Sequence, residues 1–469
     1  MSAPVLIVFV VYLAAMLVIG IRFYHSTDSL SDYILGGRGL NAPVTALSAG
    51  ASDMSGWLIL GLPGALYAGG ASNVWMAVGL VIGAYLNWLF VAPRLRVATE
   101  RSNDALTLPD YMEYHFSDRS RILRIVSALV ILVFFTIYTS AGLVSGALLF
   151  EATFHFDYHV ALCSGAAVIV AYTFLGGFNA VSWTDFFQGI LMLIALLVVP
   201  GLLFSMLGVG QVAHNLTRTV WFEKGTLGTI SLMAWGLGYF GQPHILVRFM
   251  SLRHVSDMPM ARRIGMGWMI LCLVGAMSTG WLGQVYFANA PLIEPEKVFL
   301  VLAQVLFNPW VTGLLLAAVL AAIMSTVSAQ LLVCAATVTE DFYHAFIHRD
   351  ASQRELVWLG RGAVLTIASI ALLLGLDPKS KVLDLVAYAW AGFGASFGPA
   401  ILCMLLWKQT TRVGVLVGIV VGATTVVVWK QLHGGIFDLY ELAPGFVLSG
   451  LSIIAIGVIE SASSSGGRL

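Results

Sequence analysis

Asp53 lies in the stretch GASDMSGW (residues 50–57), in the middle of an apolar run from about residue 42 to 67. A carboxylate at that depth costs at least a few kcal/mol, so it normally faces a cavity and a cation. The alternative is a protonated carboxyl hydrogen-bonded to a neighbouring helix. Its neighbours Gly50, Ser52, Ser55 and Gly56 weaken a helix: each glycine costs ~1 kcal/mol relative to alanine, and serine competes for backbone hydrogen bonds. The run is therefore expected to unwind around Asp53. Carbonyls freed there, at the C-terminal end of the first half-helix, suit a cation; the N-terminus of the second half-helix suits an anionic group.

Two further stretches carry candidate chemistry. In AWGLGYFGQPH (residues 234–244), Gly236, Gly238 and Gly241 loosen the backbone and Pro243 removes a donor. This reads as a second interrupted helix, or as a glycine packing face with a kink. In LAAIMSTVSAQ (residues 320–330), Ala322, Ser325 and Thr326 stand at i, i+3 and i+4, on one helical face. A carbonyl and two hydroxyls present neutral oxygens, which suit a hard cation such as sodium. The competing reading has the hydroxyls bonded back to carbonyls of the preceding turn. No metal-type cluster of His, Asp and Glu, no nucleophile–base pair within the apolar runs and no G-x-x-x-x-G-K-[ST] occurs. Neither an enzyme nor a direct ATP-driven pump is indicated, and no cofactor is called for.

The elements that must position these residues are membrane helices. Hydrophobic residues make up 59% of the chain and charged ones 10%, with a mean hydropathy of +0.90, outside the range of ordinary soluble domains. Apolar runs stand near residues 5–23, 42–67, 72–92, 125–150, 158–176, 186–206, 227–248, 266–288, 311–334, 357–375, 382–406, 413–429 and 443–459. Thirteen crossings are expected, in an all-α polytopic membrane protein. The first run lacks a basic n-region and a cleavage site, so it reads as a retained helix. Cys163, Cys272, Cys334 and Cys403 fall in four different runs, without C-x-x-C spacing. Asp185 and Asp384 sit close to run ends, near the membrane faces.

Basic residues set the orientation. With the N-terminus outside, the outer loops hold Arg218, Lys224, Lys297, Lys379, Lys381 and Lys430, and the inner side holds the rest of the 24, including Arg248 and Arg468. The C-terminus is then cytoplasmic, ending in a short tail (residues 460–469). The longest inner loop, about residues 93–124, holds no more than a helical hairpin. The interrupted runs are the second and the seventh, five helices apart. An odd spacing inverts the second unit, the pattern of an inverted five-plus-five repeat with a midplane site.

The stretches GASDMSGWL, FLGGFNAVSWTDFFQ, WGLGYFGQPHILVRFM and AAIMSTVSAQLL, with DYILGGR, EDFYHAF and AYAWAGFGASFGP, resemble the sodium:solute symporter family over nearly the whole chain. The resemblance is nearest to the proline-carrying bacterial members. It implies a LeuT-type fold as a single transmembrane domain: a helix at residues 5–23, a ten-helix core over about 42–406, and two more helices over about 413–459. It also implies sodium-coupled symport of L-proline across a bacterial cytoplasmic (inner) membrane. Neither nucleic acid nor an obligate protein partner is implied. By resemblance, sodium would be held by the carbonyls of Ala51, Met54 and Ala322 and the hydroxyls of Ser325 and Thr326, with Asp53 sodium-linked. Ser55, Trp57, Tyr138, Trp235, Tyr239 and Pro243 would lie on the substrate side. Position 329 is alanine here where a relative carries cysteine, which keeps it small. Another small amino acid or carboxylate as substrate, or a membrane sensor or channel, are the competing functions.

Overall fold

The computed structural model describes residues 2–24, 29–175, 177–217, 220–378 and 380–466, and no strand occurs among them. The expected tail ends outside these residues at 467–469, as do Arg218, Lys379 and Arg468 of the charge count and Gly176 of the FLGGF stretch. The helices that build the body are α1 (Ala3–Tyr24), α2 (Ala42–Asp53), α3 (Leu62–Gly69), α4 (Val74–Leu86), α5 (Ile122–Phe154), α6 (Tyr158–Leu175) and α7 (Phe178–Thr217). They continue with α8 (Gly225–Met233), α9 (Pro243–Ser251), α10 (Met258–Tyr286), α11 (Pro309–Ala336) and α12 (Gln353–Leu374). The last three are α13 (Val382–Leu406), α14 (Arg412–Trp429) and α15 (Leu442–Gly466).

Ten helical segments among the described residues are long and apolar enough to cross a membrane. The other three expected runs are α6 and two broken paths. One path is α2 followed by α3; the other is α8 followed by α9. Asn41 caps α2, its side chain accepting from the Val44 amide, and the helix ends where Met54 leaves helical geometry (φ −87°, ψ 77°). The chain re-enters a helix through a wide turn at Trp57–Gly61. Gly56 is required beside this break, because a Cβ there would come within 2.6 Å of Ser145 Oγ on α5.

The second break is a tight 3-10 segment, Ala234–Gly241, followed by the extended residue Gln242. Pro243 then opens α9, at a position where its missing N–H has no helical partner to lose. Gly236 lets this segment touch Gly79 and Gly83 of α4 backbone to backbone; a Cβ at Gly236 would overlap the Gly79 carbonyl. Both readings of this stretch therefore hold at once: its glycines are a packing face and the helix is interrupted.

The packing repeats with exchanged partners, as an inverted repeat requires. α5 lies on α13 as α11 lies on α7, and α4 lies against the second break as α10 lies against α2 and α3. α9 packs on α2, bringing the two breaks together.

The loop of about residues 93–124 holds two short helices, Ala92–Arg101, which begins at the loop's start, and Leu108–Phe116. There Arg124 of α5 meets Asp341 at 2.9 Å, Glu113 at 3.0 Å, Asp110 at 3.1 Å and Glu340 at 3.2 Å. One guanidinium thus ties the helix Leu108–Phe116 to the segment Thr337–Ile347 that continues α11. Burial pushes the Asp110 carboxyl up to about 6, against the opposing pull of Arg124.

Candidate cation and substrate site

The last turn of α2 and the middle of α11 bring oxygens together. Ser325 Oγ donates to the Ala51 carbonyl at 2.8 Å, and Thr326 Oγ1 reaches the same carbonyl at 3.3 Å. Ser325 Oγ also lies 3.0 Å from the Ala322 carbonyl. The back-bonding reading is thus present for Ser325, but both hydroxyls also cross to a second helix. The cradle is two carbonyls and two hydroxyls, all buried. With the hydroxyls rotated, their lone pairs and those of the carbonyls can face one small cation, and a monovalent ion needs no carboxylate among such ligands. Met54, fully buried, is the first residue out of the helix beside this cradle.

Asp53 meets different partners. Its Oδ2 accepts from the Tyr239 hydroxyl at 2.5 Å, joining the first break to the second. Its carbonyl accepts from Trp57 Nε1 at 3.1 Å and from the Tyr138 hydroxyl at 3.5 Å. The charge and the oxygen cradle are therefore adjacent in sequence but separate in contacts.

Aromatic rings surround this junction. Trp57 and Trp235 approach with ring centroids 6.3 Å apart, and Tyr239 meets Trp390 edge-on at 5.1 Å. Trp390 Nε1 donates to the Trp235 carbonyl at 2.8 Å, which fixes the second break against α13. Tyr440, just before α15, stacks on Trp235 at 5.2 Å. Ser55 Oγ accepts from the Trp57 amide at 3.3 Å, capping the start of the second half-helix. Trp57, Tyr138, Trp235, Tyr239 and Ser55 thus gather around Asp53. Pro243 stands apart, lining another cavity with Thr107, Phe178 and Arg248.

Sequence reasoning missed three participants here. Trp390 lies in the AYAWAGFGASFGP stretch, so its neighbourhood had been marked. Asn87, whose Nδ2 donates to the Tyr239 carbonyl at 2.9 Å, was a lone amide in an apolar run, a signal left unread. Tyr440 sits in a connection, where no pattern pointed to it.

Asp185, expected near a run end, is fully buried within the protein, accepting from Ser48 at 2.8 Å and paired with Arg248 at 3.3 Å. Arg248, counted with the inner loops, lies inside α9 and also stacks over Phe178 at 5.2 Å. The pair holds α2, α7 and α9 together. Each charge lies near the end of its run, which hid their mutual burial.

The model of the sodium:solute symporter family matches residues 33–422. The chain is 52% identical to the sodium/proline symporter of Salmonella typhimurium, over 99% of this chain and 95% of the relative. It is 50% identical to the high-affinity proline transporter PutP of Bacillus subtilis, over 96% of this chain and 97% of that one. A solved structure of a Na+-coupled sialic acid symporter shares its fold at a TM-score of 0.82, covering 98% of both chains at 16% identity.

Proposed function

We propose that this chain, which belongs to the sodium:solute symporter family, carries L-proline into the cell together with sodium. The observation that carries this reading is the 52% identity to a sodium/proline symporter over 99% of the chain. The cradle geometry supports it. Sodium binds the carbonyls of Ala51, Met54 and Ala322 and the hydroxyls of Ser325 and Thr326. This pins the broken α2 to α11, and Asp53, two residues from Ala51, carries the neighbouring negative charge. Proline lies at the junction of the breaks, its carboxylate toward the start of the half-helix near Ser55. The methylene carbons of its ring pack on Trp57, Trp235, Tyr239 and Tyr138, an apolar wall suited to them. Pro243 acts at a distance, by fixing where α9 begins.

Coupling follows if sodium prefers the conformation that has its cradle assembled, since a ligand shifts only states it binds unequally. A sodium ion moving inward through 100 mV gains about 2.3 kcal/mol from the electrical term. The ten-helix core spans about residues 42–406, preceded by α1 and followed by α14 and α15. The protein sits in a bacterial cytoplasmic membrane, N-terminus outside and C-terminus inside, as the basic residues of the loops favour. Competition tests the substrate: excess proline should block uptake of labelled proline, whereas alanine, betaine and pantothenate should not. If proline failed to compete with the solute that proves to be carried, the proline assignment would fall and the family assignment would stand.

A further inference from the structure

Trp235 forms part of the proposed substrate wall, yet its backbone and its ring are fixed by different partners. The backbone is pinned to α13, through Trp390 Nε1 on the Trp235 carbonyl at 2.8 Å. The ring lies against Tyr440, with centroids 5.2 Å apart and planes only 20° from parallel. A second ring neighbour, Trp57 of the first break, is further away at 6.3 Å and tilted by 40°. Tyr440 belongs to neither break, nor to the ten-helix core: it lies at the end of the connection between α14 and α15. In the orientation proposed above, that connection is on the outer face, over the start of α13 and the end of α8.

The connection is anchored on both sides of Tyr440. Its hydroxyl donates to the Ala387 carbonyl of α13 at 2.7 Å, and its amide donates to Ser231 Oγ of α8 at 3.0 Å. Just before it, the Leu439 carbonyl accepts from Trp429 Nε1 at 3.0 Å; just after it, Glu441 pairs with Lys430 at 3.4 Å. Leu442, fully buried, opens α15. There a Cβ on Gly394 of α13 would meet Leu442 Cδ1 at 2.6 Å and the Gly238 Cα of the second break at 2.7 Å. Connections run over the surface and face solvent. Tyr440 instead turns inward, half-buried, and is held at both its amide and its hydroxyl. Such a ring pair is favourable beyond the area it buries, and a fixed planar partner limits which way the indole can tilt.

We infer that Tyr440 is a positioning residue for substrate selection: it holds the Trp235 indole against the chamber and so sets the size of ring that the chamber admits. The inference deepens the proline reading and rests on it. The two helices outside the ten-helix core thereby act on a site that the core builds. Without the stack, the indole can tilt away while its carbonyl stays on Trp390. That movement loosens the wall around proline and makes room for one more methylene.

The test is uptake of labelled proline by the full chain in reconstituted vesicles at saturating sodium. The competitor is L-pipecolate, the six-membered-ring homologue of proline. Tyr440→Leu keeps bulk but removes the stack, and should raise the half-saturating proline concentration about threefold to tenfold, the span that an aromatic pair contributes. Its preference for proline over pipecolate should fall by at least about threefold, since a pocket discriminates one methylene by roughly tenfold or more. The sodium requirement at saturating proline should not change, because no cradle oxygen is altered. Tyr440→Phe keeps the ring and should restore the preference. Ser231→Ala frees the Tyr440 amide without touching a ring; it should shift the preference in the same direction as the leucine variant, and it decides the matter if that variant does not fold. Less protein in the membrane with unchanged half-saturation and unchanged preference, in the leucine variant or in Ser231→Ala if only that one folds, would overturn the inference and leave proline symport standing. An equal loss of preference in the phenylalanine variant would overturn it too, because the ring would then not be what selects. An unaltered protein that carries no proline would remove the proline reading and this inference with it.

Discussion

Removing the two hydroxyls of α11 isolates the cradle from everything else at the site. Ser325 and Thr326 contribute one oxygen each, at 2.8 and 3.3 Å from the Ala51 carbonyl, and their hydroxyl bonds run to the Ala51 and Ala322 carbonyls, not to the aromatic residues around Asp53. Replacing either by alanine leaves helix propensity intact or improved. A lost neutral polar contact of this kind is worth about 1 kcal/mol, and more where a buried carbonyl is left without a partner, about 1–3 kcal/mol. Ser325 makes the shorter contact, so Ser325→Ala should raise the half-saturating sodium concentration roughly tenfold, taking about 1.4 kcal/mol per decade. Thr326→Ala should raise it by somewhat less. The double substitution should approach the product of the two, on the order of a hundredfold, reduced by coupling because both hydroxyls share one carbonyl. The assay is initial-rate proline uptake across a sodium titration, in reconstituted vesicles, normalised to protein. An unchanged sodium requirement in the double variant, with rates lowered only in proportion to protein present, would refute the cradle.

Four further outcomes follow from the same geometry. Asp53→Asn removes the charge while keeping the size, and should abolish sodium-coupled uptake with membrane insertion preserved, read by uptake and by immunodetection of the inserted chain. Tyr239→Phe keeps the ring that packs on Trp390 but removes the hydroxyl on Asp53; a hydrogen bond to a charged group is worth about 1.5–3 kcal/mol, so the sodium requirement should rise tenfold or more while Tyr239→Ala also raises the proline requirement. Gly236→Ala should destabilise the folded protein by about 1–3 kcal/mol through overpacking against Gly79, measured as a lower midpoint of thermal unfolding in detergent. Asp110 has its carboxyl raised from 3.8 to about 6, chiefly by burial, so its stabilising contribution is full below about 4 and is lost as pH rises through about 6; lowering pH from 7 to 5 should add about 1 kcal/mol of stability, and Asp110→Asn should remove that gain.

Much of the scaffold was legible because membrane burial writes itself into the chain as long apolar runs. The two breaks were legible because helix-weakening residues cluster there: Gly50, Ser52, Ser55 and Gly56 in one, three glycines and Pro243 in the other. The face shared by Ala322, Ser325 and Thr326 was readable from helical spacing alone. What spacing could not give is which element each residue faces. Tyr239 reaches Asp53 across 186 positions, so an aromatic expected only as a wall turned out to hold the carboxylate as well. Asp185 and Arg248 each looked like an end-of-run charge, and only the packing of α2, α7 and α9 shows that they bury one another. Asn87 was visible as a polar residue in an apolar run, but its fixed amide depends on a carbonyl from the second break.

Reciprocal flux tests the central claim most directly. Purified protein in sealed vesicles should accumulate labelled proline above its external concentration when sodium is imposed outside. Neither an equal potassium gradient nor a proton gradient in sodium-free buffer should do so. Conversely, an imposed proline gradient should drive radioactive sodium in the same direction as proline, with no net sodium movement when proline is omitted. Proline accumulation driven equally well by protons without sodium, or sodium flux that ignores proline, would contradict the account.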